Sequence, residues 1–273
     1  MKKRLRVGII GCGAIGGEIA LACQGRLKKR IELVGICDTD KVRCEALKNR
    51  LKPQPKVMDR LELIKRGNLD LVVEAASAKV SADIVKECLK AKRNVLVMSA
   101  GGLLGRRGLL NSILRADSKV YLPSGAICGI DGLKAASIGR IGSARMTTRK
   151  PPGAFEGAPY IMEKRIDLNS VTKETTLFEG TAKEAVEAFP QNINVAATLS
   201  LTGIGEENVK VRIVTSPDYL KNVHEVEIEG DFGAIMTRTE NIPSEANPKT
   251  SYLAILSAIA ALEGIANNFR VGT

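Results

Sequence analysis

Through its first 125 residues or so, the chain alternates short runs of Val, Ile and Leu with longer amphipathic stretches. Leu5–Ile10, Ile31–Cys37, Leu71–Ala75, Asn94–Met98 and Lys119–Leu122 are apolar runs of strand length, and the segments between them have helical periodicity. Continuous rather than alternating apolar runs mark strands covered on both faces, as parallel strands are. The pattern predicts an α/β domain with a doubly wound parallel sheet and right-handed crossovers.

After Gly125 the rhythm changes. A helix near Asp131–Gly139 and a strand around Ala144–Lys150 lead into the Pro/Gly-rich stretch Pro151–Pro159, which predicts a loop over a site. Thr181 and Glu184 spell a capping box for a helix that ends before Pro190, and a second helix follows Asn192. Asn208–Thr215 and Asn222–Glu229 alternate apolar and polar positions, so they predict a half-exposed sheet. Asn247 as a cap and Pro248 in the first turn predict a long apolar helix reaching about Asn267. The expected organisation is a first domain over 1–125, a second, smaller α+β domain over 126–246, and a C-terminal helix in 247–273 returning to the first domain.

Gly11-Cys12-Gly13-Ala14-Ile15-Gly16 reads G-x-G-x-x-G. Such a string recurs by chance, but here it follows an apolar strand, opens a helical pattern and precedes a second strand ending in Asp38, 22 residues beyond Gly16. That order is the fingerprint of a Rossmann-type dinucleotide fold. Gly11 permits the tight turn, Gly13 lets the backbone approach a pyrophosphate, and Gly16 lets helix and strand pack. Gly11, Gly13, Ala14, Ile15 and Gly16 are therefore expected to hold the cofactor's phosphates at a helix N-terminus. Asp38 would accept the ribose hydroxyls and repel a 2′-phosphate, which favours NAD, while Lys41 and Arg43 keep NADP possible. Loops at later strand ends, Ala75-Ala76-Ser77, Ser99–Gly102 and Ser124-Gly125-Ala126, are further candidates to lie under the cofactor; simple caps and turns explain each of them equally well.

The 41 Lys and Arg residues against 30 Asp and Glu give a net charge of +11, which suits nucleic acid, an anionic membrane, or small anions such as a dinucleotide or a dicarboxylate. Only Lys2–Arg6 and Lys28–Arg30 form basic clusters, and aromatic residues are 3% of the chain, so nothing suggests a nucleic-acid platform. Six cysteines without C-x-x-C spacing read as small apolar side chains, and a single histidine argues against a zinc site. The basic start resembles a secretory signal, but Gly8, Gly11, Gly13, Gly16, Gly17 and Glu18 interrupt its apolar stretch. Tyr252–Ala266 is too short for a membrane span. A cytoplasmic protein with no metal, membrane or nucleic-acid partner is expected.

His224 is the one imidazole available near neutral pH. Strand parity places it with Val226 and Ile228, opposite Glu225, Glu227 and Glu229, so it faces inward, where a lone histidine is more often a hydrogen-bonded core residue than a catalyst. Asn192 and Asn194 suit either an amide contact or a cap for the following helix. Asn247–Ser251 reads first as a helix start; its free N–H groups with Lys249, Thr250 and Ser251 would also suit a carboxylate. Arg149 and Lys150 are a second possible carboxylate partner.

Gly11–Gly16, Glu74–Ser77, Ser124–Asp131, Phe189–Val195, Asn222–Glu225 and Asn247–Ser251, in this order and over nearly the whole chain, resemble the L-aspartate dehydrogenase family. Only the first segment is generic. The resemblance implies NAD(P)-dependent oxidation of L-aspartate to iminoaspartate, then oxaloacetate and ammonia, supplying NAD biosynthesis, in a homodimer. It also nominates His224 as the active-site residue and sets Ala126 and Asn194, with Asn192, near the cofactor. A neutral imidazole with a pKa near 7 would suit activation of the water that attacks the imine. At 273 residues the chain looks slightly long for that family. Two alternatives remain: a homoserine-dehydrogenase-like or dihydrodipicolinate-reductase-like enzyme in which Lys150 or Lys249 carries the proton, and a dinucleotide-sensing regulator.

Overall fold

The computed structural model describes residues 3–66, 68–190, 193–245, 247–269 and 271–272. The chain divides into two compact units, Met1–Pro123 with Ile255–Arg270 and Ser124–Ala254 with Val271–Thr273.

In the first unit, β1 (Leu5–Ile10), β2 (Ile31–Cys37), β3 (Lys56–Val57), β4 (Leu71–Glu74), β5 (Asn94–Val97) and β6 (Val120–Tyr121) form one sheet. Its order is β3-β2-β1-β4-β5-β6 with every pairing parallel, the arrangement of a doubly wound dinucleotide fold. The crossovers run through α1 (Ala14–Gln24), α2 (Lys41–Asn49), α3 (Arg60–Arg66), α4 (Ala78–Lys90) and α5 (Arg107–Leu114). Central β4 is buried along its whole length, as its unbroken apolar run requires. Val7, Ile9, Leu71, Val73 and Leu96 pack with Ile19 and Cys23, and Ala258 and Leu262 of the C-terminal helix (Tyr252–Ala266) join the same core. Arg26 and Arg30 hold Glu263 of that helix at 2.8 and 3.3 Å.

In the second unit, β7 (Ile141–Lys150), β8 (Thr175–Thr181), β9 (Val209–Thr215), β10 (Asn222–Gly230) and β11 (Gly233–Asn241) form a mixed sheet in the order β11-β10-β7-β9-β8. The β7–β9 pair is parallel and the others antiparallel. Leu133 of α6 (Ile130–Ala136), Ile161 of α7 (Pro159–Glu163), Ala182 and Ala185 of α8 (Ala182–Ala188) and Leu199 of α9 (Asn194–Leu199) share one core with the inward residues of the sheet. The opposite face carries ion pairs such as Arg149 with Glu225 and Arg212 with Glu179.

Three expectations change. Asn247–Ser251 is not the first turn of a helix: it is strand β13, paired with β12 (Pro243–Ser244), and the helix starts at Tyr252. The local cap signal yields to the hairpin, in which Tyr252 N–H also bonds the Ile242 carbonyl. Pro151–Pro159 is anchored rather than open, because Phe155 is fully buried and meets Phe189 edge-on at 5.8 Å. Cys128 is exposed, while the other five cysteines are buried thiols. Strands β3, β12, β8 and β11 escaped sequence reasoning. The first has two residues, and the last is an edge strand with polar positions on both faces.

Candidate active site

The turn from β1 into α1 carries the glycine string. Gly11 has φ of +105°, and a Cβ there would lie 2.3 Å from the Ala75 carbonyl oxygen, so the position needs glycine on two counts. A Cβ on Gly16 would meet the Gly11 carbonyl oxygen at 1.8 Å, because the helix rests directly on the turn. Gly13 differs: among the described residues nothing lies within 4 Å of where its Cβ would be. The chain's own packing does not demand a glycine there. Gly13 is the N-cap of α1, beside the first N–H groups of the helix, including those of Ala14 and Ile15, which have no intrahelical acceptor and carry the positive end of the dipole. Gly11, Gly13, Asp38, Lys41, Arg43 and Ser77 line a cleft of about 620 Å³. Bare backbone, a helix N-terminus and this volume fit a phosphate-bearing dinucleotide.

Asp38 closes β2. Its Oδ2 accepts from Cys12 N–H at 2.7 Å and its Oδ1 from Asp40 N–H at 2.9 Å, so the carboxylate braces the glycine turn. Thr39 Oγ1 also donates to Oδ1 at 3.3 Å, so it is Oδ2 that keeps a lone pair for a ligand hydroxyl. Arg43 is drawn to Asp40 at 3.2 Å. Ala76 and Ser77 follow β4, and Ser77 occupies the N-cap of α4 without making a side-chain capping bond. Glu74, fully buried, accepts from Ala76 N–H at 2.9 Å, Ser99 N–H at 3.0 Å and Ser99 Oγ at 2.9 Å, and so ties two strand-end loops together. Burial raises its pKa, and these bonds oppose the rise. In Ser99–Gly102, Gly102 is required by packing: a Cβ there would strike Ser81 Oγ at 2.1 Å and the Ala78 carbonyl oxygen at 2.2 Å.

The core face of the second sheet is graded from apolar to polar. Ile235, Ile228, Ala144 and Val209 stand in one row across four strands, followed by Thr237, Val226, Met146 and Val211. The next row is Thr239, His224, Thr148 and Ile213, and the last brings Asn241 beside Asn222 and Lys150 beside Thr215. His224 is 1% exposed, with Nδ1 3.1 Å from Thr148 Oγ1. Burial first, and the Lys150 charge second, hold its pKa down to about 3, so the imidazole is neutral at physiological pH. The expected pKa near 7 is thereby corrected: enclosure by this sheet face takes the ring out of bulk solvent, which would otherwise stabilise its charged form. Burial also holds Lys150, 4% exposed, down to about 8.

The Ser124-Gly125-Ala126 turn, with Gly125 at φ +69°, is fastened to this polar end. The Ala126 carbonyl accepts from Thr239 Oγ1 at 2.9 Å and Asn241 Nδ2 at 3.0 Å. Ser251 joins as well, its Oγ accepting from Asn222 Nδ2 at 3.4 Å. Thr250 precedes it in β13, while the Lys249 side chain lies outside the described residues, as does Asn192. Asn194 is the first residue of α9, whose N-cap is Ile193, so Asn194 is not the helix cap. Arg149 points to the opposite face and pairs with Glu225, which removes it as a partner for the His224 site. Sequence reasoning missed Glu74 as a brace, Asp59 and Arg60 in the cleft lining, and Thr148, Thr239, Asn222 and Asn241 around His224. Strand parity alone held a signal for Thr148 and Asn222; Asn241 lies in the unpredicted β11.

A parallel sheet of this order, with its glycine turn and acidic strand end, joined in one chain to a second unit with a buried imidazole, defines a two-domain NAD(P)-dependent dehydrogenase. Residues 11–123 match the homoserine dehydrogenase NAD-binding domain family, and residues 131–265 match the aspartate dehydrogenase C-terminal family. L-aspartate dehydrogenases of Methanococcoides burtonii and Methanosarcina mazei are each 47% identical over 98% of this chain and 100% of their own length. The crystal structure of aspartate dehydrogenase from Thermotoga maritima superposes with a TM-score of 0.76 at 27% identity, covering 99% of this chain and all of that one. The chain belongs to the L-aspartate dehydrogenase family. Its length is no departure, since these relatives are covered from end to end. An inositol dehydrogenase of Lactobacillus casei, at 15% identity and a TM-score of 0.57, shares the fold alone.

Proposed function

We propose that this chain oxidises L-aspartate at Cα with NAD, NADP also being accepted, and that the iminoaspartate formed yields oxaloacetate and ammonia or passes into NAD biosynthesis. The observation that carries the reading is the neutral, enclosed imidazole of His224 at the polar end of a sheet face, in a chain of this family. Gly11, Gly13, Ala14, Ile15 and Gly16 hold the pyrophosphate, Asp38 takes a ribose hydroxyl, and Ala76 and Ser77 follow in the first unit; Ser124, Gly125, Ala126, Asn192 and Asn194 are the further cofactor contacts that the family resemblance implies. Bound there, the nicotinamide supplies the hydride acceptor.

Oxidation removes a hydride from Cα and a proton from nitrogen, and water then adds to the imine carbon with loss of ammonia. Thr148 fixes the imidazole plane of His224, whose other nitrogen orients the attacking water. Burial keeps the ring neutral, so that nitrogen accepts a hydrogen bond from the water it orients. Five buried thiols among six free cysteines suit a reducing cytoplasm.

The reading is tested by offering the full chain L-aspartate, D-aspartate, L-homoserine and L-glutamate, each with NAD and with NADP, and following the absorbance of the reduced nicotinamide. Turnover confined to L-aspartate is expected. Turnover of homoserine in place of aspartate would move the assignment to the homoserine-dehydrogenase-like alternative.

A further inference from the structure

Within the proposed dinucleotide site, on which this inference rests, we propose that Lys41 is the residue that admits NADP. Its side chain holds the 2′-phosphate, while Asp38 holds one ribose hydroxyl of either cofactor.

The state of Asp38 is the first ground. An acidic strand end disfavours NADP when its carboxylate is free to claim the 2′-hydroxyl and to repel a phosphate. Here Oδ1 already accepts from Asp40 N–H at 2.9 Å and from Thr39 Oγ1 at 3.3 Å, and Oδ2 accepts from Cys12 N–H at 2.7 Å. A carboxylate oxygen offers about two acceptor positions, so Oδ1 is filled and Oδ2 keeps one. One hydroxyl satisfies it, and the other ribose oxygen is left to a different partner. The donors aimed at the carboxylate also offset part of the negative charge that a 2′-phosphate would meet.

The cations of the cleft are the second ground. Lys41, Arg43 and Arg60 line it together with Asp38 and Asp59. Arg43 is held by Asp40 at 3.2 Å, and Arg60 by Glu87 at 2.8 Å. Lys41, the first residue of α2, pairs with no carboxylate among the described residues. The helix N-terminus itself is not an alternative, because Asp40 Oδ1 takes the Val42 and Arg43 N–H groups at 2.9 and 3.3 Å. Asp59 carries the wrong sign for a phosphate, and its Oδ1 accepts from Glu62 N–H at 2.8 Å. Lys41 is therefore the cation of the described lining whose charge is still unmatched. An exposed ammonium on a flexible stem meets a phosphate as a point charge and stays in solvent when NAD binds, so the smaller cofactor loses nothing.

Equilibrium binding tests this without the amino-acid reaction. The full chain is titrated with NADH and with NADPH at low salt, and the fluorescence of the reduced nicotinamide is followed. Lys41→Ala is expected to move the ratio of the two affinities toward NADH by about fivefold or more, the worth of one exposed ion pair, and the shift shrinks as salt is raised. Lys41→Arg keeps the native ratio, since the charge remains. Lys28→Ala removes the same charge from an exposed position outside the cleft lining and keeps the ratio as well. A shift below about fivefold in folded, NADH-binding Lys41→Ala, an equal shift in Lys28→Ala, or a native chain that binds no NADPH overturns the proposal. A native chain that binds both dinucleotides yet leaves L-aspartate unoxidised overturns only the reading of the reaction.

Discussion

His224 shows how one enclosing surface sets both the chemistry and the pH response of a residue. Replacing it by Ala is expected to lower kcat at least tenfold while the thermal midpoint and NAD affinity hold; a smaller loss in a folded variant would remove its catalytic assignment. In the unfolded chain the ring takes a proton near pH 6.5, whereas the folded chain keeps it neutral to about 3. The unfolded state thus binds the extra proton between these values, and stability falls as pH is lowered through that window. A urea midpoint measured from pH 7 to pH 4 will show the fall, with a shallower slope in His224→Gln. Lys150 works in the alkaline window. Its folded pKa of about 8 lies below the ordinary 10.5, so its contribution to stability rises as pH climbs from 8 to 10.5. Lys150→Met should remove that rise, which urea midpoints measured from pH 7 to pH 10.5 will show.

Among the elements, the turn into α1 separates the two reasons for which glycine is kept. Gly16→Ala places a Cβ 1.8 Å from the Gly11 carbonyl oxygen and should prevent or severely impair folding. Gly13→Ala meets nothing within 4 Å among the described residues and has φ of −75°, which alanine adopts freely. Its thermal midpoint should stay within a few degrees while dinucleotide affinity drops tenfold or more. Equal effects of the two substitutions on stability would contradict the assignment of Gly13 to ligand approach. In the second unit β11 does comparable positioning work: Thr239 and Asn241 tether the Ala126 carbonyl, which links the Ser124-Gly125-Ala126 turn to the strand next to His224.

For the whole molecule, the two units have different cores and different sheet types, and the last helix contributes Ala258 and Leu262 to the core of the first unit after the chain has completed the second. The net charge of +11 suits anionic ligands, both a dinucleotide and a dicarboxylate. The homodimer implied by the family resemblance is checked by light scattering of the full chain, where twice the chain mass is expected and a single-chain mass would set it aside.

Legibility followed the range of the interactions. Unbroken apolar runs, the glycine string, Asp38 at a strand end and the Thr181–Glu184 capping box could be read because neighbours within a few residues decide them. By itself, the sequence determined the parallel sheet, the dinucleotide turn and the inward direction of His224. Tertiary structure alone decided that Asn247–Ser251 becomes a strand, because its partner Pro243–Ser244 competes with the local helix signal. It also decided that Thr148, 76 positions away, meets His224, and that Lys150 and Asn222 flank the same end of the sheet while Arg149 turns away. The physical reason is register: which residues of distant strands share a row depends on a pairing that no local pattern encodes.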